Sequence, residues 1–259
     1  MSNEETEKSF SRRNFLKMSG VATGTLITGT YLGSLLGDEA PPATDETETG
    51  NQGDSEESDS GSQQQNFTRA FKFFQNPEEF QVIEAATERI FPEDDNGPGA
   101  KALGVAWFID HELSGGYGAN AREYMKGPFK EGTDFQGPQY ATLRRDIFRD
   151  GIRLMNEEAL SNHDVPFYEL EGGQQDEILT RLQENDLELP GLEAGDFFEE
   201  LRLVTLSGAY ADPLYGGNIE MKGWEMKKFP GAYMSYREEI EQEGFVEKEM
   251  QSNSTHISH

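Results

Sequence analysis

From residue 67 onward, apolar residues recur every three or four positions, the spacing of one face of an α-helix. The clearest case is the stretch 77–91, where one face carries Phe80, Ile83, Thr87 and Ile90. Asn76 can cap this helix, Pro77 suits its first position, and Glu79 follows the cap by three residues. The pattern therefore predicts an amphipathic helix over 77–91.

The same spacing predicts further helices along the chain. Pro98 opens one that reaches about Leu113, and Pro138 begins a long one. Further helices are predicted at 119–126, 173–184 and 195–210. No stretch alternates apolar and polar residues over more than four positions, as a half-buried strand would. The predicted fold class is mostly α: a single orthogonal helical domain of about six helices, joined by long loops rich in Gly, Pro and aromatic residues.

Composition divides the chain into four parts. Residues 1–37 form a signal segment, and 38–66 form an acidic linker of small and polar residues that cannot bury enough apolar surface to become ordered. Residues 67–237 form the helical domain, which is large enough to bury a proper core. Residues 238–259 form a polar C-terminal tail.

The signal segment has a distinctive order of residues. Arg12 and Arg13 precede Phe15, Leu16 and Lys17, and an uncharged stretch with five glycines follows at 18–37. This layout is typical of a twin-arginine export signal, which the translocation machinery reads. The glycines make a stable membrane span unfavourable. An ordinary secretory signal and an uncleaved N-terminal anchor stay open as alternatives. Because the twin-arginine route carries folded proteins, we expect this chain to be exported folded, together with any partner already bound.

The charge is strongly negative, with 49 acidic against 22 basic residues and a net charge of −27. Such a field repels phosphates, which excludes nucleic-acid binding. The acids are dispersed along every segment, so the pattern favours an acidic surface adapted to high salt over a site for a cationic partner or for metal storage. We expect the protein to lose structure when salt is removed.

Few residues point to chemistry of their own. The absence of cysteine excludes disulfides, thiolate metal sites and iron–sulfur clusters. Asp94, Asp95 and Asn96 precede Gly97, but the ligand spacing of a calcium loop is missing, so a turn made by Asx side chains is the better interpretation. Asp110, His111 and Glu112 are consecutive and cannot converge on one metal. No nucleophile elbow, dinucleotide fingerprint or phosphate loop is present.

The stretch 210–231 combines aromatic residues with Gly and Pro and carries one of the two tryptophans, Trp224. Aromatic side chains on such a loop suit a protein interface, since they supply contact area at low entropic cost. A loop that packs over the protein's own helices is the alternative, and the residues alone leave both open.

Two motifs occur together in this chain. The first runs from Ile90 through Phe91-Pro92-Glu93-Asp94-Asp95-Asn96-Gly97-Pro98-Gly99-Ala100 to Asp110, and the second runs from Tyr210 through Asp212-Pro213-Leu214-Tyr215-Gly216-Gly217-Asn218 and Gly223-Trp224 to Pro230-Gly231. With the twin-arginine signal, they resemble the gluconate 2-dehydrogenase subunit 3 family over roughly residues 70–235. The residues that we assign to partner contact or to structure on this basis are Pro92, Asp95, Pro98, Gly99, Asp110, Tyr210, Asp212, Pro213, Tyr215, Gly216, Gly217, Asn218, Trp224, Pro230 and Gly231.

The resemblance implies a non-catalytic small subunit that supplies the export signal and helps its partner to mature. The implied partner is a large subunit of the glucose–methanol–choline oxidoreductase type that carries FAD, often with a cytochrome c subunit. The complex would oxidise a sugar or sugar acid at the outer face of the cytoplasmic membrane, or in the periplasmic or extracellular space. We therefore assign no catalytic, cofactor-binding or metal-binding residue to this chain. The alternative is a self-sufficient exported binding protein, or a hydrolase that uses a pair of carboxylates.

Overall fold

The computed structural model describes residues 70–130, 132–133 and 141–253. Within these ranges it contains seven α-helices, which confirms the mostly α fold class. Their bounds are α1 Pro77–Ile90, α2 Val105–Ser114, α3 Arg144–His163, α4 Gly172–Gln183, α5 Ala194–Tyr210, α6 Lys222–Lys227 and α7 Arg237–Ile240. The predicted signal at 1–37, with Arg12, Arg13, Phe15 and Leu16, lies outside the described residues, as does the predicted linker at 38–66.

Helix α1 confirms the prediction for 77–91 in detail. Asn76 caps it by accepting a hydrogen bond from the backbone N–H of Glu79 at 2.9 Å. The Glu79 carboxylate reaches back and accepts from the backbone N–H of Gln75 at 2.8 Å. The helix therefore begins where its capping residues place it, and its predicted apolar face is buried in the core.

Two other helix predictions were wrong. Helix α2 begins at Val105 instead of Pro98, because the chain turns at 100–104 and passes through Gly104 with φ of +71°. Residues 119–126 form no helix, since 119–123 are turns and a bend and 124–126 are irregular. The long helix begins at Arg144, and its predicted start at Pro138 lies outside the described residues. Pro98 suits a loop as well as a first helical turn.

Helix α5 is the centre of the core. It packs against α1, α2, α3, α4 and α6, and it buries Phe197, Leu201 and Val204. The buried apolar residues of all the long helices form one cluster. Among the described residues the only strands are a two-residue hairpin, Glu188–Leu189 with Leu192–Glu193, directly before α5. A single core thus fixes the directions in which the connecting loops leave the helices.

Helix α3 crosses α5 at a close contact. A Cβ atom on Gly151 of α3 would lie 2.3 Å from the ring of Phe197 of α5, so only glycine lets the two helices approach this far. Phe148, one turn earlier on α3, meets the edge of the same ring at 5.5 Å between centroids. None of the helices in the described part of the chain is long and apolar enough to span a membrane.

Candidate functional site

The first motif, 90–110, contains the last residue of α1, a loop and the first part of α2, and Glu88 of α1 organises the loop. The two Glu88 carboxylate oxygens accept hydrogen bonds from the backbone N–H groups of Glu93 at 3.2 Å and Lys101 at 2.8 Å. A Cβ atom on Gly99 would lie 2.1 Å from this carboxylate, so a side chain at this position would displace the carboxylate from the loop. Sequence reasoning missed Glu88, since it looks like an ordinary acid on a helix.

The tip of this loop is a turn, as predicted. Asp94 accepts a hydrogen bond from the backbone N–H of Asn96 at 2.8 Å, which is the Asx geometry expected for these residue types. Asp94 and Gly97 also exchange backbone hydrogen bonds. Asp95 is exposed. Of the three residues Asp94, Asp95 and Asn96, it is therefore Asp94 whose carboxylate shapes the turn.

Asp110, at the end of the first motif, has a structural role. Its side chain is fully buried, and its carboxylate accepts hydrogen bonds from three consecutive backbone N–H groups. Lys72 donates at 2.9 Å, Phe73 at 2.9 Å and Phe74 at 3.1 Å. One carboxylate thus fastens the segment that precedes α1 onto α2. His111, the next residue, is half-buried near the end of the helix.

The second motif, 210–231, is held mainly by two buried polar side chains. Asp212 accepts hydrogen bonds from Leu214 N–H at 3.0 Å, Ser252 Oγ at 2.7 Å and Asn253 N–H at 2.8 Å. Asn218, whose backbone has φ of +47°, donates to the Ala211 carbonyl at 2.8 Å. The Asn218 Oδ1 atom accepts from the backbone N–H of Gly223 at 2.7 Å. These contacts close the loop on itself.

Hydrogen bonding also decides the charge state of Asp212. Burial alone would raise the pKa of this carboxyl group. The hydrogen bonds from the Asn253 backbone, the Ser252 hydroxyl and the Leu214 backbone outweigh burial and hold the pKa below its ordinary value. Asp212 is therefore an ionised anchor at neutral pH, and it ties the second motif to the C-terminal segment.

Trp224 and the glycines of the second motif face inward. Trp224 is 5 % exposed and its indole N–H donates to the Tyr210 carbonyl at 2.8 Å. A Cβ atom on Gly217 would lie 2.3 Å from the Gly208 carbonyl oxygen of α5, and one on Gly223 would lie 1.9 Å from the Ala209 carbonyl oxygen. The motif's glycines thus let the loop backbone lie directly on the last turn of α5.

The two motifs interlock. The backbone N–H of Ile219 donates to the Leu103 carbonyl at 3.2 Å. The Ile219 side chain occupies the space that a Cβ atom on Gly104 would take, and the Met226 side chain does the same at Gly97. Stretches more than a hundred residues apart in sequence are therefore parts of one structure at one end of α5.

The second motif has both internal residues and residues that a partner could contact. Its anchoring residues are internal. Of the residues that the sequence assigned to partner contact or to structure, the buried ones are Gly99, Asp110, Asp212, Gly217, Asn218, Trp224 and Gly231. The half-buried members are Pro92, Pro98, Tyr210, Pro213, Gly216 and Pro230. Leu214, Tyr215 and Phe229 are exposed by 44 %, 51 % and 45 %. The motif therefore has an internal frame that presents large apolar side chains to the outside.

Part of the predicted polar tail returns to this frame. Gln251 pairs with Gly231 in a parallel bridge, and Ser252 is buried against Asp212. Sequence reasoning missed this contact because 251–253 is a short polar segment without a pattern of apolar residues. We call residues 241–253 the C-terminal strap.

A second polar cluster, which sequence reasoning also missed, forms around Glu200 of α5. Glu200 is buried and accepts hydrogen bonds from the Tyr117 hydroxyl at 2.9 Å and from Arg144 Nε at 3.0 Å. Arg144 also pairs with Glu123 and lies 4.6 Å from the centroid of the Tyr117 ring. Burial would lower the pKa of Arg144, but the two carboxylates outweigh it and raise that pKa. This cluster joins α3, α5 and the loop after α2.

Among the described residues, no group of three or more His, Asp or Glu side chains is placed to hold a metal ion. His163, at the end of α3, lies 3.1 Å from the Gln174 amide of α4. The described carboxylates with buried side chains, Asp110, Glu200 and Asp212, lie at separate places and each has hydrogen-bond donors of its own. The arrangement suits the fixing of backbone segments.

Comparison with known proteins gives one match. The model of the family described as gluconate 2-dehydrogenase subunit 3 matches residues 77–231, which is more than half of the chain and includes both motifs. Searches of curated proteins and of solved structures gave no match. The resemblance noted from the two motifs is thus confirmed over the interlocked part of the structure. The chain belongs to the gluconate 2-dehydrogenase subunit 3 family.

Proposed function

We propose that this chain is the small subunit and export partner of a flavin-dependent dehydrogenase of the glucose–methanol–choline type. The observation that carries the proposal is the family match over 77–231, which names a subunit of a dehydrogenase. The partner would oxidise an alcohol carbon of a sugar or sugar acid at its FAD and pass the electrons to the respiratory chain. A cytochrome c subunit would complete some of these complexes.

The geometry of the two motifs supports a role in binding a partner. Their buried polar side chains hold backbone segments, and the second motif also exposes large apolar side chains. Exposed apolar residues on a rigid frame are typical of a protein interface. The Leu214-Tyr215 turn and Phe229 are the large apolar parts of the second motif that a partner can reach.

The proposal places the FAD in the partner. A groove of about 740 Å³ in the described part of the chain is lined by Glu225, Glu239 and Glu247 together with Lys228 and Lys248. Its carboxylates outnumber its ammonium groups, which does not favour the pyrophosphate of FAD. In this proposal, no cofactor-binding residue and no step of the oxidation is assigned to this chain.

The sequence assigns the export role to Arg12 and Arg13. A large subunit without a signal of its own would cross the membrane bound to this chain, since the twin-arginine route accepts folded complexes. Lysine in place of both arginines keeps the charge and removes the planar guanidinium groups that a receptor can recognise in a fixed geometry. The signal can therefore be tested without changing the net charge.

The test is co-expression of the full chain with its flavin-dependent partner, with the partner assayed inside and outside the cytoplasmic membrane. The double variant Arg12→Lys/Arg13→Lys should leave the partner inside the cell. Lys8→Arg, a charge-preserving change outside this layout, is the matched control and should leave export unchanged. Export of the partner to the same extent with the double variant would contradict the proposed escort role.

A further inference from the structure

Exposed apolar side chains are concentrated near the C-terminus. Among the described residues, twelve large apolar side chains are exposed, and eight of them lie between 214 and 250. Phe229, Tyr236, Phe245 and Met250 of this group border one groove of about 740 Å³. Scattered single apolar residues are normal on a protein surface, but a concentration of this kind marks a binding surface.

The groove is a built feature, because the second motif holds both of its walls. Phe229, on one wall, packs edge-on against the buried Trp224 at 5.3 Å between ring centroids. The C-terminal strap forms another wall, and the backbone N–H of its Gln251 donates to the Pro230 carbonyl at 2.9 Å. The residues that follow in the strap are the ones that donate to Asp212.

The groove carries more negative than positive charge. The charged residues of its lining are Glu225, Glu239, Glu247, Lys228 and Lys248. The segment 238–250, which supplies much of the lining, has six acids and one base. Lys248 is already paired with Glu239, whereas Glu225 and Glu247 are exposed and form no ion pair with another residue that the structure describes. The groove therefore suits an apolar segment that carries positive charge.

The aromatic rings at this groove already hold one cation. Lys248 Nζ lies 4.1 Å from the centroid of the Tyr233 ring and 5.4 Å from that of Tyr236. Ammonium and guanidinium groups are attracted to aromatic faces, and arginine is found there more often than lysine. Phe229 and Phe245 present further rings, exposed by 45 % and 94 %. Arginine flanked by apolar residues is thus the chemistry that fits this surface.

One stretch of this chain has that chemistry. Residues 8–18 include four bases and no acid, although acids outnumber bases by 49 to 22 in the whole chain. The bases are Lys8, Arg12, Arg13 and Lys17, and the apolar residues among them are Phe10, Phe15, Leu16 and Met18. The stretch contains the twin-arginine motif and lies outside the described residues.

We propose that the groove between Phe229 and Phe245 binds the chain's own segment 8–18, and so withholds the export signal until the dehydrogenase partner displaces it. The inference rests on the proposed function, because it takes the signal and the partner from there. Phe229 belongs both to the groove and to the surface that a partner can reach, so the partner and the segment compete for it. The subunit is then exported only with its partner.

The length of chain before the described domain permits this docking. Residues 18–69 separate the segment from Ala70, the first described residue, and fully extended they would span about 170 Å. A domain of this size has a radius of gyration of only about 16 Å. Linkage within one chain also gives an effective concentration on the order of a millimolar, which favours the chain's own segment over that of a second copy in solution.

The test is limited trypsin digestion of the full-length chain, prepared in the cytoplasm without its partner and kept in high salt. Trypsin cuts after the arginines and lysines of segment 8–18, and mass spectrometry compares these rates with that after the exposed Lys130. Phe245→Ser removes an almost fully exposed ring and should leave the thermal unfolding unchanged. Tyr124→Ser is the matched control, because Tyr124 is 82 % exposed and does not line the groove.

A second pair of variants separates docking in the groove from a general attraction to an acidic surface. Glu225→Gln/Glu247→Gln removes two carboxylates from the groove. Glu169→Gln/Glu188→Gln removes two exposed carboxylates that do not line it. Both double variants change the net charge equally, so a difference between them reports the position of the charges.

The proposal expects Phe245→Ser and the groove double variant to raise the cleavage rate in segment 8–18 by about fivefold or more, because cleavage follows the population of the undocked segment. The two controls should leave that rate unchanged. In cells that lack the partner, Phe245→Ser should also raise the exported fraction of this chain. Equal rates for all variants, or the same increase with both double variants, would overturn the docking.

Two further outcomes would assign the groove to another occupant and so overturn the proposal. Protection that grows with protein concentration would indicate the segment of a second copy, and protection that needs the flavoprotein would indicate a contact with the partner. The proposed function fails by a different result, which is export of the partner with Arg12→Lys/Arg13→Lys. That variant keeps the trypsin sites, so the two proposals are tested separately.

Discussion

Asp110 gives the sharpest test of how the first motif works. The substitution Asp110→Asn keeps the size of the side chain and one acceptor oxygen. It removes the negative charge and turns the second oxygen into an amide group that faces the Lys72 N–H, which now donates to that oxygen at 2.9 Å. Two donors would then face each other in a site with no exposed surface.

The size of the expected loss of stability follows from the three backbone N–H groups that donate to Asp110. The Lys72 N–H loses its shorter hydrogen bond, to Oδ2 at 2.9 Å, and keeps only the longer one, to Oδ1 at 3.1 Å. The bonds from Phe73 and Phe74 become bonds to a neutral acceptor. A bond to a charged group contributes about 1.5–3 kcal/mol, against about 0.5–1.5 kcal/mol for a neutral one. Relief of the buried charge offsets part of the loss. We expect the free energy of unfolding to fall by about 2–4 kcal/mol, a large share of the total for a domain.

The assay is urea unfolding followed by circular dichroism at constant high salt, since urea leaves the ionic strength unchanged. The midpoint should fall while the slope with urea stays the same, because the native surface is preserved. Asp95→Asn, an exposed position in the same motif, is the control and should change stability by less than about 0.5 kcal/mol. An equally small effect of Asp110→Asn would refute the role of this carboxylate as a backbone anchor.

Three further predictions concern the second motif and the surface. Gly223→Ala should lower the free energy of unfolding by about 2–4 kcal/mol, because the new Cβ atom would lie 1.9 Å from the Ala209 carbonyl oxygen. Gly173→Ala has open space around its Cβ and should raise the free energy of unfolding by about 0.4–1 kcal/mol. Urea midpoints that shift in the same direction for both variants would contradict this prediction. Because hydrogen bonds lower the Asp212 pKa, its stabilisation should be complete at neutral pH and shrink below about pH 4, so the stability gap between wild type and Asp212→Asn should narrow there. A difference in stability between wild type and Asp212→Asn that does not change with pH would contradict this prediction. The melting temperature should rise from dilute buffer to molar KCl, because salt screens the repulsion among the acidic side chains. A melting temperature that does not change with salt would contradict this prediction.

The helices were predictable where a local signal marked their ends. Asn76 and Pro77 fixed the start of α1, and the apolar periodicity fixed α4 and α5 to within a residue or two. Pro98 misled the prediction for α2 because proline suits a loop as well as a first helical turn. The real start follows Gly104, which has a positive φ and lies against Ile219, a residue distant in sequence.

The candidate site was only half predictable for the same reason. The composition of 210–231 pointed to a special loop, and it could not separate the inward anchors from the outward side chains. That division depends on where the last turn of α5 and the C-terminal strap lie. The partners of Asp212 come from residues 252 and 253, which carry no apolar signal. Contacts between polar residues far apart in sequence leave no periodic pattern from which they could be predicted.

The central claim is that this chain works as a subunit of a flavin-dependent dehydrogenase. The most direct measurement is purification of the tagged full-length chain from its native host in high salt, with a flavin spectrum and a dye-reduction assay on sugars and sugar acids. The account predicts a co-eluting larger polypeptide that carries the flavin and the activity, while the chain alone is colourless and inactive. A chain that elutes without a partner, or that turns over a substrate by itself, would contradict it.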